Sequence, residues 1–158
     1  MSGDQYIAAA EGITLTTSAT VILDVASTAA SRRMNLNELG VAFNGTSSSA
    51  TPITVRLVRC TGAPSGGGTI TQGSTPLDPA APTSTFTGYM CTTAGAWGTA
   101  PTVGVILRTW LVSPTSGLVI QFPLGQEPNA PATTNAGLGI QVVAPAAVGV
   151  SCYESWTE

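Results

Sequence analysis

Glycine and proline interrupt this chain every few residues, and that spacing is the feature that most limits its fold. The 158 residues include 18 Gly and 11 Pro. A helix does not tolerate them at such intervals, because Pro removes a backbone donor and Gly loses more conformational entropy than other residues. The sequence therefore predicts a domain without helices, and its length is that of one ordinary domain.

Between these breaks, apolar residues alternate with small polar ones, which is the pattern of strands with one buried face. The alternation predicts eight or nine short strands. They run over residues 13–16, 20–26, 34–43, 52–60, 84–93, 103–112, 118–122, 137–143 and 148–156. The inward positions that it predicts include Val21, Leu23 and Val25 of the second run. Because one face alternates with the other, the predicted sheets are antiparallel.

Two or three long connections favour a β-sandwich of jelly-roll type over an up-and-down barrel, in which all connections are short. An immunoglobulin-like sandwich is the alternative, although its Cys, Trp, Cys signature is absent. Residues 1–12 fall outside the strand pattern and are predicted to form an N-terminal arm, which leaves 13–158 as one domain. Residues 61–83 are rich in Gly, Pro, Ser and Thr and predict a long surface excursion, with Ile70 and Leu77 as its anchors.

The charged residues exclude most enzyme mechanisms. They make up 8% of the chain, which has no Lys and no His, so Ser-His and Cys-His activation, imidazole metal sites and a phosphate-binding lysine loop are excluded. The eight carboxylates occur singly and are interpreted as solvated strand ends. A glycosidase built from two of them stays an alternative, because residues distant in sequence can meet in space. No catalytic, cofactor-binding or metal-binding residue is predicted.

The charge balance and the apolar runs also limit the partners. A net charge of −3 and a pI near 4.7 argue against nucleic acid. No apolar run reaches the length of a membrane span, and the N-terminus lacks the features of a signal peptide. The cysteines Cys60, Cys91 and Cys152 are odd in number and lack CxxC spacing. They are predicted to be free thiols of a protein made in a reducing cytoplasm.

Arginine and tryptophan residues indicate a protein interface, because these types are enriched in binding hot spots. Strand parity places Arg108, Trp110 and Val112 together on one face, which is expected to be exposed, and it places Arg56 beside Thr54 and Val58 on the outward face of another strand. The arm is expected to order on a neighbouring molecule. The residues predicted at interfaces are Tyr6, Ile7, Arg32, Arg33, Arg56, Trp97, Arg108 and Trp110. A sugar-binding platform of Tyr89, Trp97 and Trp110 is the alternative interpretation.

Four stretches carry a resemblance to a known family. They are LNELGVAFNGTSSSATPITVRLVRCTG, TPLDP, WLVSPTSGLVIQFPLGQE and GLGIQVVAPAAVGVSCYESW. Within residues 35–156 the chain resembles small all-β virion proteins of tailed bacteriophages, and in particular capsid decoration (cement) proteins. The resemblance implies a jelly-roll-like domain, often a homotrimer, that binds the outside of an icosahedral head and bridges subunits of the major capsid protein. It assigns no contact residues.

The composition is compatible with such an assembly. A surface of Thr, Ser, Ala and Gly with few charges suits a protein that is covered by its own copies or by a lattice. Two alternatives share these features, namely a tail or fibre-base structural protein and a carbohydrate- or receptor-binding module. No cofactor, nucleic acid or membrane is expected as a partner.

Overall fold

Strands form all the regular structure in the computed structural model, which describes residues 3–46, 51–62, 64–65, 67–68 and 74–158. The strands in these ranges are β1 (Gln5–Leu15), β2 (Thr20–Ser27), β3 (Met34–Phe43), β4 (Ile53–Thr61), β5 (Thr75–Pro76), β6 (Phe86–Met90), β7 (Thr102–Val112), β8 (Gly117–Gln121), β9 (Asn129–Ala130), β10 (Gly137–Val143) and β11 (Val148–Thr157). All nine predicted runs are found as strands. The two further strands, β5 and β9, have two residues each and are too short for alternation to predict.

The strands form two antiparallel sheets that face each other. The first sheet has the order β5-β1-β11-β3-β8, with β9 also paired to β3, and the second has the order β6-β2-β10-β4-β7. One hydrophobic cluster lies between them and takes side chains from both. The predicted all-β antiparallel sandwich is therefore confirmed.

The long strands pair in a nested order. The first pairs with the last (β1 with β11), and inside that pair come β2 with β10, β3 with β8, and β4 with β7. Successive pairs alternate between the two sheets. The chain is thus wound as one long hairpin, whose tip is the connection from β4 to β7.

The core confirms most of the predicted inward positions, with one exception on β2. Leu23 and Val25 lie in the central cluster, but Val21 lies with Val58 and Cys60 in a small separate cluster. The pairing of β2 with β10 shifts at Ile140, so that Ile22 takes the inward place. A bulge of this kind inserts a residue and reverses the facing of those beyond it.

Residues 5–12 are not an arm separate from the sandwich, because they belong to β1. This strand pairs with β11 along its length, and Tyr6, Ala8 and Ala10 are completely buried. Tyr6 stacks on Trp156 with ring centroids 5.9 Å apart. Two alanines in the inward positions make this alternation weak in the sequence, which is why the pattern does not predict the first part of β1.

The edge formed by β1, β5 and β6, here called the closed edge, is covered by the long excursion. β5 pairs with Tyr6 and Ile7 of β1, and Gly68 pairs with Met90 of β6. Of the two predicted anchors in this excursion, Leu77 is 52% exposed and is not an anchor. Ile70 lies outside the described residues.

The last residue of the chain fastens the closed edge. The Glu158 carboxylate accepts hydrogen bonds from the Ser84 hydroxyl, from the Thr85 amide (3.0 Å) and hydroxyl (2.8 Å), and from Trp156 Nε1 (3.3 Å). Burial raises the pKa of this carboxyl, but these bonds outweigh burial and hold the pKa below its ordinary value. The carboxylate therefore ties the end of β11 to the start of β6.

Candidate protein-interaction surface

The opposite side of the sandwich is formed by β7 and β8, and its strand edges have no partner among the described residues. β7 ends the second sheet and β8 ends the first, and residues 113–116 join them in a tight turn. We call this side the open edge. Proteins usually protect such an edge with charged residues or proline, yet the one charged residue within these two strands is Arg108.

Large apolar side chains are concentrated on the open edge. Of the six exposed ones in the described chain, three lie on β7, one on β8 and one just after β8. They are Val105, Ile106, Leu111, Val119 and Leu124, of which Leu111 is 72% exposed and Leu124 is 96% exposed. Exposed apolar residues that cluster in this way mark interaction sites, whereas single ones need no explanation.

Side chains that point inward on these strands are also incompletely covered. Trp110 pairs with Val55 and Arg108 with Leu57, both of which face the core. A register shift after Leu57 leaves Leu107 as an extra residue, and it too packs against the core. Leu107, Trp110, Leu118 and Ile120 are all half-buried. The interior of the sandwich is therefore partly open between β7 and β8.

Arg108 stands in this opening. Its guanidinium carbon lies 5.4 Å from the centre of the Phe122 ring, and the side chain is exposed. A cation over an aromatic ring is held by the negative face of the ring. No carboxylate among the described residues pairs with Arg108, so its charge is available to a partner.

The structure corrects how Trp110 and Val112 were expected to face. Arg108, Trp110 and Val112 do share one face of β7, but it is the inward face, and Val112 is buried. Arg108 and Trp110 remain accessible only because β7 is the last strand of its sheet. The structure thus brings Arg108 and Trp110 together, but the face of β7 that carries them points into the sandwich and not outward.

Two residues predicted to contact a neighbour belong to β1 instead. Tyr6 is completely buried, and its hydroxyl donates to the Pro82 carbonyl at 2.9 Å. That position excludes Tyr6 from a surface contact. Ile7 is half-buried and pairs with Thr75 of β5. Both lie at the closed edge.

The remaining predicted arginines are dispersed. Arg32 lies 3.8 Å from the Asp4 carboxylate, and Arg33 is exposed in the turn before β3. Arg56 is half-buried and donates to Gln141 Oε1 at 3.2 Å. Its expected outward neighbour Val58 is buried in the small separate cluster. None of the three belongs to the open edge.

The predicted aromatic platform is divided between two places. Tyr89 and Trp97 line one groove of about 500 Å³, and Trp97 Nε1 donates to the Val21 carbonyl at 2.8 Å. Trp110 lies on β7, at the other edge of the second sheet from β6 and Tyr89. The structure therefore supplies two aromatic residues to such a site, and the third is elsewhere.

Two carboxylates that were interpreted as solvated strand ends are completely buried. Glu154 faces the core of the sandwich between Ala8 and Leu39, and Asp24 lies on the outer face of the second sheet beside Gly139 and Tyr89. No oxygen of either carboxylate accepts a hydrogen bond of normal geometry from the described residues. The sequence contains a signal for Glu154, since it continues the inward alternation Val148, Val150, Cys152 and Trp156.

Burial explains the proton affinity of both groups. It raises the pKa of Asp24 to about 7, and the nearby Cys60 thiol offsets this only in part. It also raises the pKa of Glu154 well above its ordinary value, and the negative charge of Asp24 adds to that increase. The two carboxyls therefore favour their neutral forms in the folded chain.

The three cysteines are free, as predicted, and the structure shows that all three are buried. Within the described residues no three His, Cys, Asp or Glu side chains are grouped so that they could hold a metal ion. A helix long and apolar enough to cross a membrane is also absent from that part of the chain.

Comparisons with known proteins leave the family open. No protein family, no curated protein and no solved structure matches the chain. The resemblance to phage decoration proteins stays a prediction.

Proposed function

We propose that this chain is a structural virion protein that binds the outer surface of an icosahedral phage head and stabilises contacts between major capsid subunits. In this proposal it performs no catalysis, and its sandwich is a jelly roll. The nested pairing supports the jelly roll, because such a fold consists of two sheets wound from consecutive Greek keys.

The observation that carries the proposal is the open edge. A strand of eleven residues with Val105, Ile106 and Leu111 exposed is a liability for a protein that stays alone in solution. Such a strand is suited to a protein that functions while bound to another surface. Arg108 and Trp110 supply the residue types that dominate such contacts. Many copies on one shell would add weak contacts through multivalency.

The test is binding of the full chain to purified particles of the virus that encodes it. Heads lacking the chain, and separately tails, are mixed with it and pelleted. We expect the wild-type chain to pellet with heads, and Leu111→Asp with Val119→Asp to reduce that binding at least about tenfold, because both place a charge in an apolar contact. Thr134→Asp, in the exposed loop between β9 and β10 and outside β7 and β8, is the matched control and should bind as the wild type does.

The location of binding decides between the head and the tail. Pelleting with tails alone would replace the proposal with a tail or fibre-base role. Pelleting with neither fraction would contradict a virion role altogether.

A carbohydrate- or receptor-binding module is the second candidate, favoured by the groove that Tyr89 and Trp97 share. Aromatic faces in a groove are suited to stacking against sugar rings. A glycan array tests this candidate. Binding to glycans that Trp97→Ala abolishes would support it, and an array without bound glycans would exclude it.

A further inference from the structure

Almost every carboxylate of the chain is already paired or buried. Asp4 pairs with Arg32; Glu38, Asp78, Glu127 and Glu158 accept hydrogen bonds; Asp24 and Glu154 are buried. The remaining one is Glu11, which is exposed and has no bonding partner among the described residues. It is therefore the carboxylate most available to a group from outside the chain.

Glu11 lies in β1 at a local irregularity of the strand. The pairing of β1 with β11 shifts between Ala10 and Ile13, and Gly12 has a φ of +67°, a conformation that favours glycine. β5 covers β1 only at Tyr6 and Ile7, so it does not reach the bulge. Glu11 thus projects from the side of the sandwich that β1 forms.

The complementary group is Arg108. Arg32, Arg56 and Arg59 bond to Asp4, Gln141 and the Asn129 carbonyl, whereas Arg33 and Arg108 have no carboxylate or hydrogen-bonded partner in the described chain. Of these two, Arg108 stands among the exposed apolar residues of the open edge. Docking there would remove water from its charge, and a desolvated charge needs a counter-ion.

Arg108 and Glu11 lie on opposite sides of the sandwich. β7 is the last strand of the second sheet, while β1 packs against β2 and β6 at the other end of the sheet order. The two side chains therefore cannot meet within one chain. They can meet between two copies, if the open edge of one faces the β1 side of the next.

We propose that this chain assembles with itself head to tail, through an ion pair between Arg108 of one copy and Glu11 of the next. A second copy is the occupant that the charges favour at Arg108, because the open edge carries this unpaired cation and the β1 side carries the unpaired carboxylate of Glu11. A contact of this heterologous type closes into a ring when its rotation allows, and otherwise forms a filament. The inference rests on the proposed assembly role, and its test needs no capsid.

The experiment is a charge swap followed by sedimentation velocity of the full chain over a wide range of concentration. The variants are Arg108→Glu, Glu11→Arg and the double variant that carries both. We expect an oligomer from the wild type, and each single reversal to raise the dissociation constant at least about tenfold through like-charge repulsion. The double variant restores the pair in reverse and should return to within about threefold of the wild-type value.

Two controls keep the result interpretable. Arg33→Glu reverses the other free cation and should assemble as the wild type does, while Arg108→Lys keeps the charge and should retain most of the assembly. Circular dichroism and thermal unfolding confirm that each variant is folded, which is expected because both residues are exposed.

Three outcomes would overturn the inference. They are a wild-type chain that stays monomeric, single reversals that assemble like the wild type, and a double variant no better than the single ones. If the swap behaves as expected but the chain does not pellet with heads, the proposed function fails and the head-to-tail contact stands. If the chain binds heads and the charge reversals leave its self-association unchanged, only the head-to-tail contact is contradicted.

Discussion

The outer strands at the two edges of this sandwich are covered to different extents. At the closed edge, β5, the excursion and the Glu158 carboxylate cover or fasten the outer strands. At the open edge, β7 and β8 keep their outer edges free, and four large apolar side chains on these strands and a fifth just after β8 are exposed. From this difference we expect the closed edge to contribute more to the stability of the chain, and we propose the open edge as a surface for contact with another molecule.

A matched pair of tryptophans tests this division with the largest expected effect. Trp156, which stacks on Tyr6 and is completely buried, should cost about 3–5 kcal/mol of unfolding free energy when changed to Ala. Trp110→Ala should cost about 1–2 kcal/mol, because its side chain is already partly exposed. Urea unfolding of dilute protein measures both, and equal losses would contradict the comparison.

The buried carboxyls Glu154 and Asp24 lie on strands next to the closed edge, and they should make stability depend on pH. Because both folded pKa values are raised, their contribution is fully present below the unfolded values near 4. It is lost as pH rises toward the folded values, which for Asp24 means a pH of about 7. We expect a fall of several kcal/mol over this window, since a tenfold change in proton affinity corresponds to about 1.4 kcal/mol.

Glu154→Gln and Asp24→Asn should each flatten that dependence and unfold at higher urea than the wild type at pH 7. Each variant and the wild type should be nearly equal in stability at about pH 3, below the unfolded values near 4, because the carboxyls are then largely neutral in both states. A wild-type chain that grows more stable from pH 4 to pH 7 would show that these groups are not buried as described.

The fastening of the closed edge should give a smaller effect. Glu158→Gln keeps the shape of the side chain but removes the charge, which accepts hydrogen bonds from four donors. The change should cost about 1 kcal/mol at neutral pH. Since the folded pKa of Glu158 is lowered, this contribution should disappear as pH falls below the ordinary value. Glu127→Gln, in the turn after β8, removes a charge that accepts one hydrogen bond from the Gly125 amide, and it is the matched control. Limited proteolysis should cut residues 78–85 faster in Glu158→Gln alone.

The smallest effect is expected on the outer face of the first sheet. Tyr153 donates to Glu38, which also accepts from Gln121 of β8 at 2.6 Å, so this chain of bonds ties the open edge to β3 and β11. The Tyr153 bond, followed by the Gln121 bond, lowers the pKa of Glu38. Tyr153→Phe should raise that pKa toward its ordinary value and cost less than about 1 kcal/mol. NMR titration of the Glu38 carboxyl measures this pKa. If Tyr153→Phe left the Glu38 pKa unchanged, the bond from Tyr153 to Glu38 would be excluded in solution.

The sequence predicted the strands well because period-two alternation and turn residues act locally. It failed where the alternation was weakened, as in the Ala8 and Ala10 positions of β1, or interrupted, as at the bulge beside Val21. The burial of Glu154 was not predicted, for a different reason. Its position continues the inward pattern, but a lone carboxylate is almost never fully buried, so residue type and strand parity point in opposite directions there.

The candidate surface could be predicted only in part. Residue type singles out Arg108 and Trp110, and the structure does place them side by side on one strand. What makes them accessible is that β7 is the last strand of its sheet. Sheet order depends on pairings between distant strands, so a local pattern carries no information about it. The same reason explains why Tyr6, also singled out by type, is buried.

The nested pairing has a consequence for how the chain is made. β1 leaves the ribosome before all the other strands described here, but it pairs with β11, which is made more than a hundred residues later. At typical translation speeds that interval is roughly ten to thirty seconds, during which β1 lacks its main partner. Of the four nested pairs, β4 with β7 can form first, and it carries three of the five exposed apolar residues of the open edge. The part of the molecule best suited to contact its own copies is thus complete before the rest has closed, so dilution or a chaperone during synthesis should favour soluble protein.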